Sequence, residues 1–286
     1  MSDSANEGKV DAGAGAEPEA EASGPPRKSR RRLIWLGAAV VVVTIGVGYR
    51  SPCLRWAVAH GNRPCARVLL WLAADPNWAG VGPWPWPRRT PPTTALEHAV
   101  YNEDASMIAL LCAHGADVDK PSPSGTTPLR ATALVGNVRA ARALLEAGAD
   151  PCALPPTATH TALQTAAAHG HAAVVRLLVD WGANVKEPGA MGNPAIHLAA
   201  LYGHDEIIRI LAAAGADVGL RGSGGWTPLH WAAGSGLSNV ASVRTLLELG
   251  ADVNAVSEDG ETPLDCALAR ENADIAEFLR EHGAAE

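Results

Sequence analysis

Aromatic side chains other than tryptophan are scarce: one Phe and three Tyr stand against nine Trp in 286 residues. Cysteine is scarcer than a disulfide scaffold needs, and five is an odd number, so the chain does not hold a complete disulfide framework. No Gly-x-Ser-x-Gly, His-Glu-x-x-His, P-loop or dinucleotide-binding glycine pattern occurs. The common nucleophile, zinc and nucleotide sites therefore lack their fingerprints, and no catalytic residue, cofactor or small-molecule substrate is assigned. Clustered positive charge is missing beyond RKSRRR at 27–32, and residues 51–286 carry 16 Lys/Arg against 24 Asp/Glu. A surface of that sign is wrong for nucleic acid, which needs grouped cations.

One stretch has no charge at all. Residues 33–49, LIWLGAAVVVVTIGVGY, follow five basic residues, and residues 1–25 before them are mostly Ala, Gly, Glu, Ser and Pro, with almost no large apolar side chain. Such a start cannot bury enough apolar surface to fold, so 1–32 reads as a disordered, basic-ended cytoplasmic tail. Seventeen helical residues reach about 25 Å, within the range a membrane tolerates with snorkelling arginines. The expectation is a transmembrane signal anchor at 33–49 with the amino terminus inside, as positive flanking charge dictates. In a Gram-negative bacterium that is the inner membrane, with 51–286 in the periplasm. A cleaved signal peptide is the competing reading, although VGYRSP offers no small-x-small cleavage site.

From residue 51 onward the chain repeats itself. TTPLRATALVGN, HTALQTAAAHGH, NPAIHLAALYGH, GGWTPLHWAAGSG and ETPLDCALAREN each precede an apolar run ending in Gly-Ala-Asp or a near relative. The closing glycines, Gly115, Gly148, Gly182, Gly215, Gly250 and Gly283, are spaced 33, 34, 33, 35 and 33 residues apart. A fixed period of this length means stacked supersecondary units. Thr127-Pro128, Thr227-Pro228 and Thr262-Pro263 place a capping hydroxyl before a proline tolerated only in a first helical turn. Val174, Val175, Leu177 and Leu178 then fall at helical spacing, and the Gly of Gly-Ala-Asp suits a left-handed cap. One such hairpin cannot bury its own apolar face, so the units must stack.

TPLHWAAGSG, AIHLAALYGHDEIIRILAAAGADV and ALQTAAAHGHAAVVRLLVDWGANV resemble the ankyrin repeat family. The fold class expected is all-α, an ankyrin solenoid of about seven helix-turn-helix units over 51–286, preceded by one transmembrane helix. The first unit, 54–77, is degenerate, with Arg55 for the motif histidine and Ala73 for the capping glycine. The resemblance gives His197 and His230 a structural hydrogen bond within the helical turn and makes His171 and His204 recurrent repeat residues. Register accordingly argues against a metal site at His160, His169 and His171. Cys65, Cys112 and Cys266 occupy apolar core positions, and a Cys53–Cys65 bridge stays open.

The resemblance also implies a protein partner, of unknown identity, bound through finger tips and the concave side of the first helices. The residues at those register positions are Tyr101, Leu134, Val135, His169, Leu201 and Tyr202, with His160 and Trp226 in the fingers. Between the first two units, NWAGVGPWPWPRRTPPTT at 77–94 adds nine residues to the period. Its prolines forbid a helix, and Trp84 and Trp86 are candidates to anchor the partner. The loop could equally lie near a membrane or cap the first unit. The function expected is that of a membrane-anchored interaction module without chemistry. A secreted or periplasmic scaffold or protective factor for an extracytoplasmic enzyme is the alternative.

Overall fold

A computed structural model describes residues 50–79, 93–237 and 239–285. Fourteen α-helices form seven hairpins among these residues, and no strand occurs among them. The first helices of the hairpins are α1 (Arg50–Ala59), α3 (Ala95–Tyr101), α5 (Pro128–Val135), α7 (Ala162–Ala168), α9 (Ala195–Leu201), α11 (Pro228–Ala233) and α13 (Pro263–Ala269). The second helices are α2 (Arg63–Trp71), α4 (Ala105–Ala113), α6 (Val138–Glu146), α8 (Ala172–Asp180), α10 (Asp205–Ala213), α12 (Val240–Glu248) and α14 (Ala273–Glu281). Each first helix packs on its own partner and on the first helices of the units before and after, so two layers run the length of the array.

The layers meet over a continuous apolar core. Ala199, Ala200, Ala166, Ala167, Ala232 and Ala233 are buried in the first layer, where small side chains let neighbouring helices approach. The second layer supplies bulk through Leu144, Leu178, Ile207, Ile208, Leu211, Leu246 and Leu279. Hydroxyls start the first helices: Thr94, Thr127, Thr161 and Thr262 accept from the amides of Glu97, Arg130, Gln164 and Asp265. A cap of this kind is worth about 1 kcal/mol.

Left-handed backbone ends the second helices. Gly115, Gly148, Gly182, Gly215, Gly250 and Gly283 have φ between 83° and 94°. The degenerate first unit keeps this geometry without glycine, for Ala73 sits at φ 60°, at a cost of about 1 kcal/mol. The 35-residue interval falls in the inner loop of the sixth unit, where the chain runs on from α11 through Gly234 to the cap at Asn239 of α12.

The expected transmembrane helix requires correction. Among the described residues no helix is long and apolar enough to cross a membrane. The longest, α1, has ten residues and reaches about 15 Å, half a hydrocarbon core. The uncharged segment 33–49, on which that expectation rested, lies outside the described residues, as do the tail 1–32 and residues 80–92. Assignment to the inner membrane, with the array in the periplasm, falls with it.

Candidate interaction face

Polar side chains stitch each hairpin to its neighbours in both directions. Forward, the residue three positions after the capping threonine reaches the finger of the following unit. His230 Nε2 donates to Glu261 O at 3.0 Å, and its Nδ1 accepts from Thr227, the hydroxyl at 2.8 Å and the amide at 3.2 Å. Gln164 does the same with two atoms: Nε2 donates to Asn193 O at 2.7 Å and Oε1 accepts from Thr161 N at 2.8 Å. His197 Nε2 donates to Trp226 O at 3.1 Å. Its Nδ1, however, is buried without a partner, because Pro194 stands where the others have threonine and brings neither hydroxyl nor amide hydrogen. The resemblance-based expectation of a bond within the turn holds for His230 and fails for His197.

Backward stitching comes from the caps of the second helices. His171 and His204 reach Leu134 O and Ala168 O, each at 3.2 Å, while Asn239 donates to Gly203 O at 2.7 Å and Asn272 to Ser235 O at 2.7 Å. Glycine makes room for these groups. A Cβ on Gly136 would stand 2.5 Å from the His171 ring, and one on Gly170 2.8 Å from His204. Burial lowers the pKa of His197 and of His230, with backbone carbonyls opposing the shift. It lowers that of His98 most, down to about 4, helped by the charges of Arg55 and His60. The buried motif histidines are thus assigned to structure.

With those residues accounted for, the exposed side of the first-helix layer remains. Tyr101, Leu134, Val135 and Tyr202 end α3, α5 and α9 and expose 44, 42, 44 and 47% of their surface. Leu201 is half-buried and His169 exposed at the same register. The strip stops after the fifth unit, where Gly234 and buried Ser235 take those positions. His160 is half-buried in the adjoining finger and bonds Thr159 Oγ1 at 2.8 Å. Burial lowers its pKa, and the charges of Arg130 and His169 add to this. Burial raises the pKa of Tyr101, as does Glu97, against the pull of Arg130. Tyr101, Arg130, His160 and His169 therefore lie within electrostatic reach of one another.

Trp226 is less available than its finger position suggests. Its ring meets Trp231 edge-on at 5.9 Å and tilts over His230 at 5.9 Å, half-buried against the core. It fills space beside Gly234, where a Cβ would lie 3.5 Å from the ring. Trp84 and Trp86 lie outside the described residues.

His169 and His171 stack at 6.3 Å, with Nδ1 of the first on Thr165 O and Nε2 of the second on Leu134 O. Among the described residues no group of three or more His, Cys, Asp and Glu is set to hold a metal ion. All five cysteines are free, Cys65 and Cys266 buried and Cys53, Cys112 and Cys152 half-buried. Burial pushes the Cys266 thiol up to about 11, with Glu261 and Asp265 adding to the shift.

Sequence reasoning missed Arg130. It replaces the motif histidine of the third unit, and its guanidinium is held by Thr165 Oγ1 at 3.3 Å and Thr126 Oγ1 at 3.5 Å. The cue was a cation at the motif-histidine position, shared with Arg55 of the first unit, which is buried where Arg130 is half-buried. On the far side of the array Trp71 is 81% exposed, the largest exposure among the big apolar residues described.

The family model for ankyrin repeats matches three times, over residues 54–155, 153–222 and 215–285. Human ankyrin repeat and SOCS box protein 16 is 31% identical over 228 residues, which is 80% of this chain and 42% of that protein. The ankyrin repeat and KH domain-containing protein mask of Drosophila melanogaster is 38% identical over 101 residues, 35% of this chain and 2% of that protein. Protein PhlB of Serratia liquefaciens is 42% identical over 98 residues, 34% of this chain and 39% of that protein. The chain spans less than half the length of each of these relatives.

Proposed function

The chain belongs to the ankyrin repeat family, and we propose that it binds a protein partner on the exposed side of its first-helix layer and on the adjoining fingers. Ankyrin repeats are general protein-protein interaction modules, and the relatives above carry no enzyme name. The observation that carries the choice of face is the exposed strip of Tyr101, Leu134, Val135 and Tyr202 at one register. Large apolar groups gathered on one face mark an interaction site more often than scattered ones do. Leu201, His160 and His169 complete the face, and Trp226 supports it from the finger. Trp84 and Trp86 enter the proposal through the Trp-Pro composition of their loop.

Affinity capture from cell extract tests the reading. Tyr202→Ala should lose about 2 kcal/mol of partner binding with unchanged helicity. Arg209→Ala, on the other layer, where Arg209 reaches Glu248 at 3.1 Å, should capture as the parent does. Equal capture by Tyr202→Ala together with loss in Arg209→Ala would put the partner on the second-helix layer instead.

A further inference from the structure

The chain carries a formal charge of -7, yet within the first-helix layer its exposed negative groups are confined to Asp265 of α13, the last unit. Across α1, α3, α5, α7, α9 and α11 the only carboxylate is Glu97, and it is 3% exposed. Burial raises its pKa, opposed by the Thr94 amide and the hydroxyls of Ser122 and Tyr101. Many of the domain's other acids are spent locally. Asp117, Asp150, Asp217 and Asp252 each accept an amide two residues ahead in the turn after a second helix. Asp119 accepts Asp150 N at 3.1 Å.

What the same face does hold is cationic. Arg130 is half-buried and pinned by two threonine hydroxyls within reach of Tyr101 and His160. Its guanidinium has five donors, and the two threonine bonds use only part of that capacity. The fingers of the third, fifth and sixth units add Lys120, Lys186 and Arg221. Arg221 is anchored to Val256 O at 2.6 Å. Against them in the same fingers stand Asp117, Asp119 and Asp217, which accept backbone amides and keep their charge, and Glu187, which takes a 3.4 Å bond from Asn184. The last finger is the most acidic, with Asp252, Glu258, Asp259 and Glu261 and no cation, and the apolar strip has ended before it.

Resting on the binding face argued above, we propose that the partner segment it takes is acidic, a stretch of Asp or Glu interleaved with large apolar side chains. Apolar groups of the segment lie on the strip formed by Tyr101, Leu134, Val135 and Tyr202, and its carboxylates meet Arg130. An arginine already held in place recognises a planar carboxylate by paired hydrogen bonds at little further ordering cost. On a chain that is negative overall, the helix surface around Arg130 presents no exposed carboxylate through the first six units, so an acidic segment meets the least like-charge repulsion there.

The probe is a displayed library of random 12-residue peptides selected on the immobilised full chain. The strongest peptide is then synthesised in two forms, as selected and with every Asp and Glu changed to Asn and Gln. Enrichment of Asp/Glu beside Leu, Phe or Trp is expected, with the amide form binding at least tenfold more weakly and the acidic form losing several-fold between 50 and 300 mM salt. Arg130→Gln, which keeps hydrogen-bonding nitrogen while removing charge, should erase most of the difference between the two forms. Lys186→Gln should reduce that difference by a smaller factor without touching the helices. Basic or neutral winners, equal binding of the two forms, or no enrichment at all would overturn the acidic reading. The two proposals fail separately: neutral peptides lost on Tyr202→Ala keep the face and reject the charge, whereas acidic peptides indifferent to both Tyr202→Ala and Arg130→Gln reject the face.

Discussion

The fifth and sixth units carry the same histidine and wire it differently. In the sixth, His230 is satisfied at both nitrogens, by Thr227 and by Glu261 O. In the fifth, His197 keeps its forward bond to Trp226 O but faces Pro194 with a bare Nδ1. Both rings are fully buried, so the difference is one of partners and not of solvent. A buried acceptor without a donor costs about 1–3 kcal/mol. Identical motif letters therefore mark junctions of unequal strength, and the deciding residue sits three positions away.

The most damaging way to break the comparison is at the loop the two units share. Gly203 has φ 76°, and a Cβ there would fall inside the contact distance of Asn239 Nδ2, which donates to Gly203 O. Gly203→Ala should cost about 3 kcal/mol in urea unfolding, strain and lost stitch together. Gly215→Ala, at φ 92° with open space around it, should cost only about 1 kcal/mol.

Next comes removal of the rings themselves. His230→Ala should destabilise by about 3 kcal/mol and His197→Ala by about 1 kcal/mol less, because the second ring has fewer hydrogen bonds to lose. Equal losses would mean that the Thr227 contact contributes nothing. Acid acts on both units together with the second. Burial lowers the pKa of His197, His230 and His98, the last to about 4. The unfolded chain takes up these protons near pH 6.5 while the folded chain does not. Stability should therefore be complete above about pH 6.5 and fall as pH drops toward 4, by about 2 kcal/mol for the partly exposed His98. A midpoint of thermal unfolding that is flat from pH 7 to 4.5 would contradict this.

The smallest effects sharpen the comparison by repair. Pro194→Thr should restore both the cap and the donor for His197 Nδ1 and raise stability by about 1 kcal/mol. Ala73→Gly, relieving φ 60° in the first unit, should raise it by about 0.5 kcal/mol, since glycine also loosens the unfolded chain.

The array was legible in the sequence because period, Thr-Pro and Gly-Ala-Asp are local and independent of partners. Even the degenerate first unit was placed, since Leu54, Leu69 and Leu70 remain buried at their register positions. The strip of Tyr101, Leu134, Val135 and Tyr202 was legible for the same reason: register alone tells which positions point away from the core. Trp226 was not, because its burial depends on Gly234 and Trp231 from the neighbouring helix. The cationic focus at Arg130 escaped notice as well, since it arises across three units and has no pattern within one. Read from hydropathy, 33–49 suggested a span that no described helix supplies.

Stitches at each junction act side by side, whereas the junctions themselves follow one another along the array. Between the second and third units the backward stitch is the longest. Asn137 reaches Val100 O only at 3.5 Å, although the Ser122 hydroxyl turns to Glu97 across the same junction. Ala109, Ala113 and Ala143 leave a groove of about 370 Å³ between α4 and α6. Pulled from its two ends, an array connected in this way yields at its weakest junction and not at an average one, so a rupture trace should show whole units leaving as blocks.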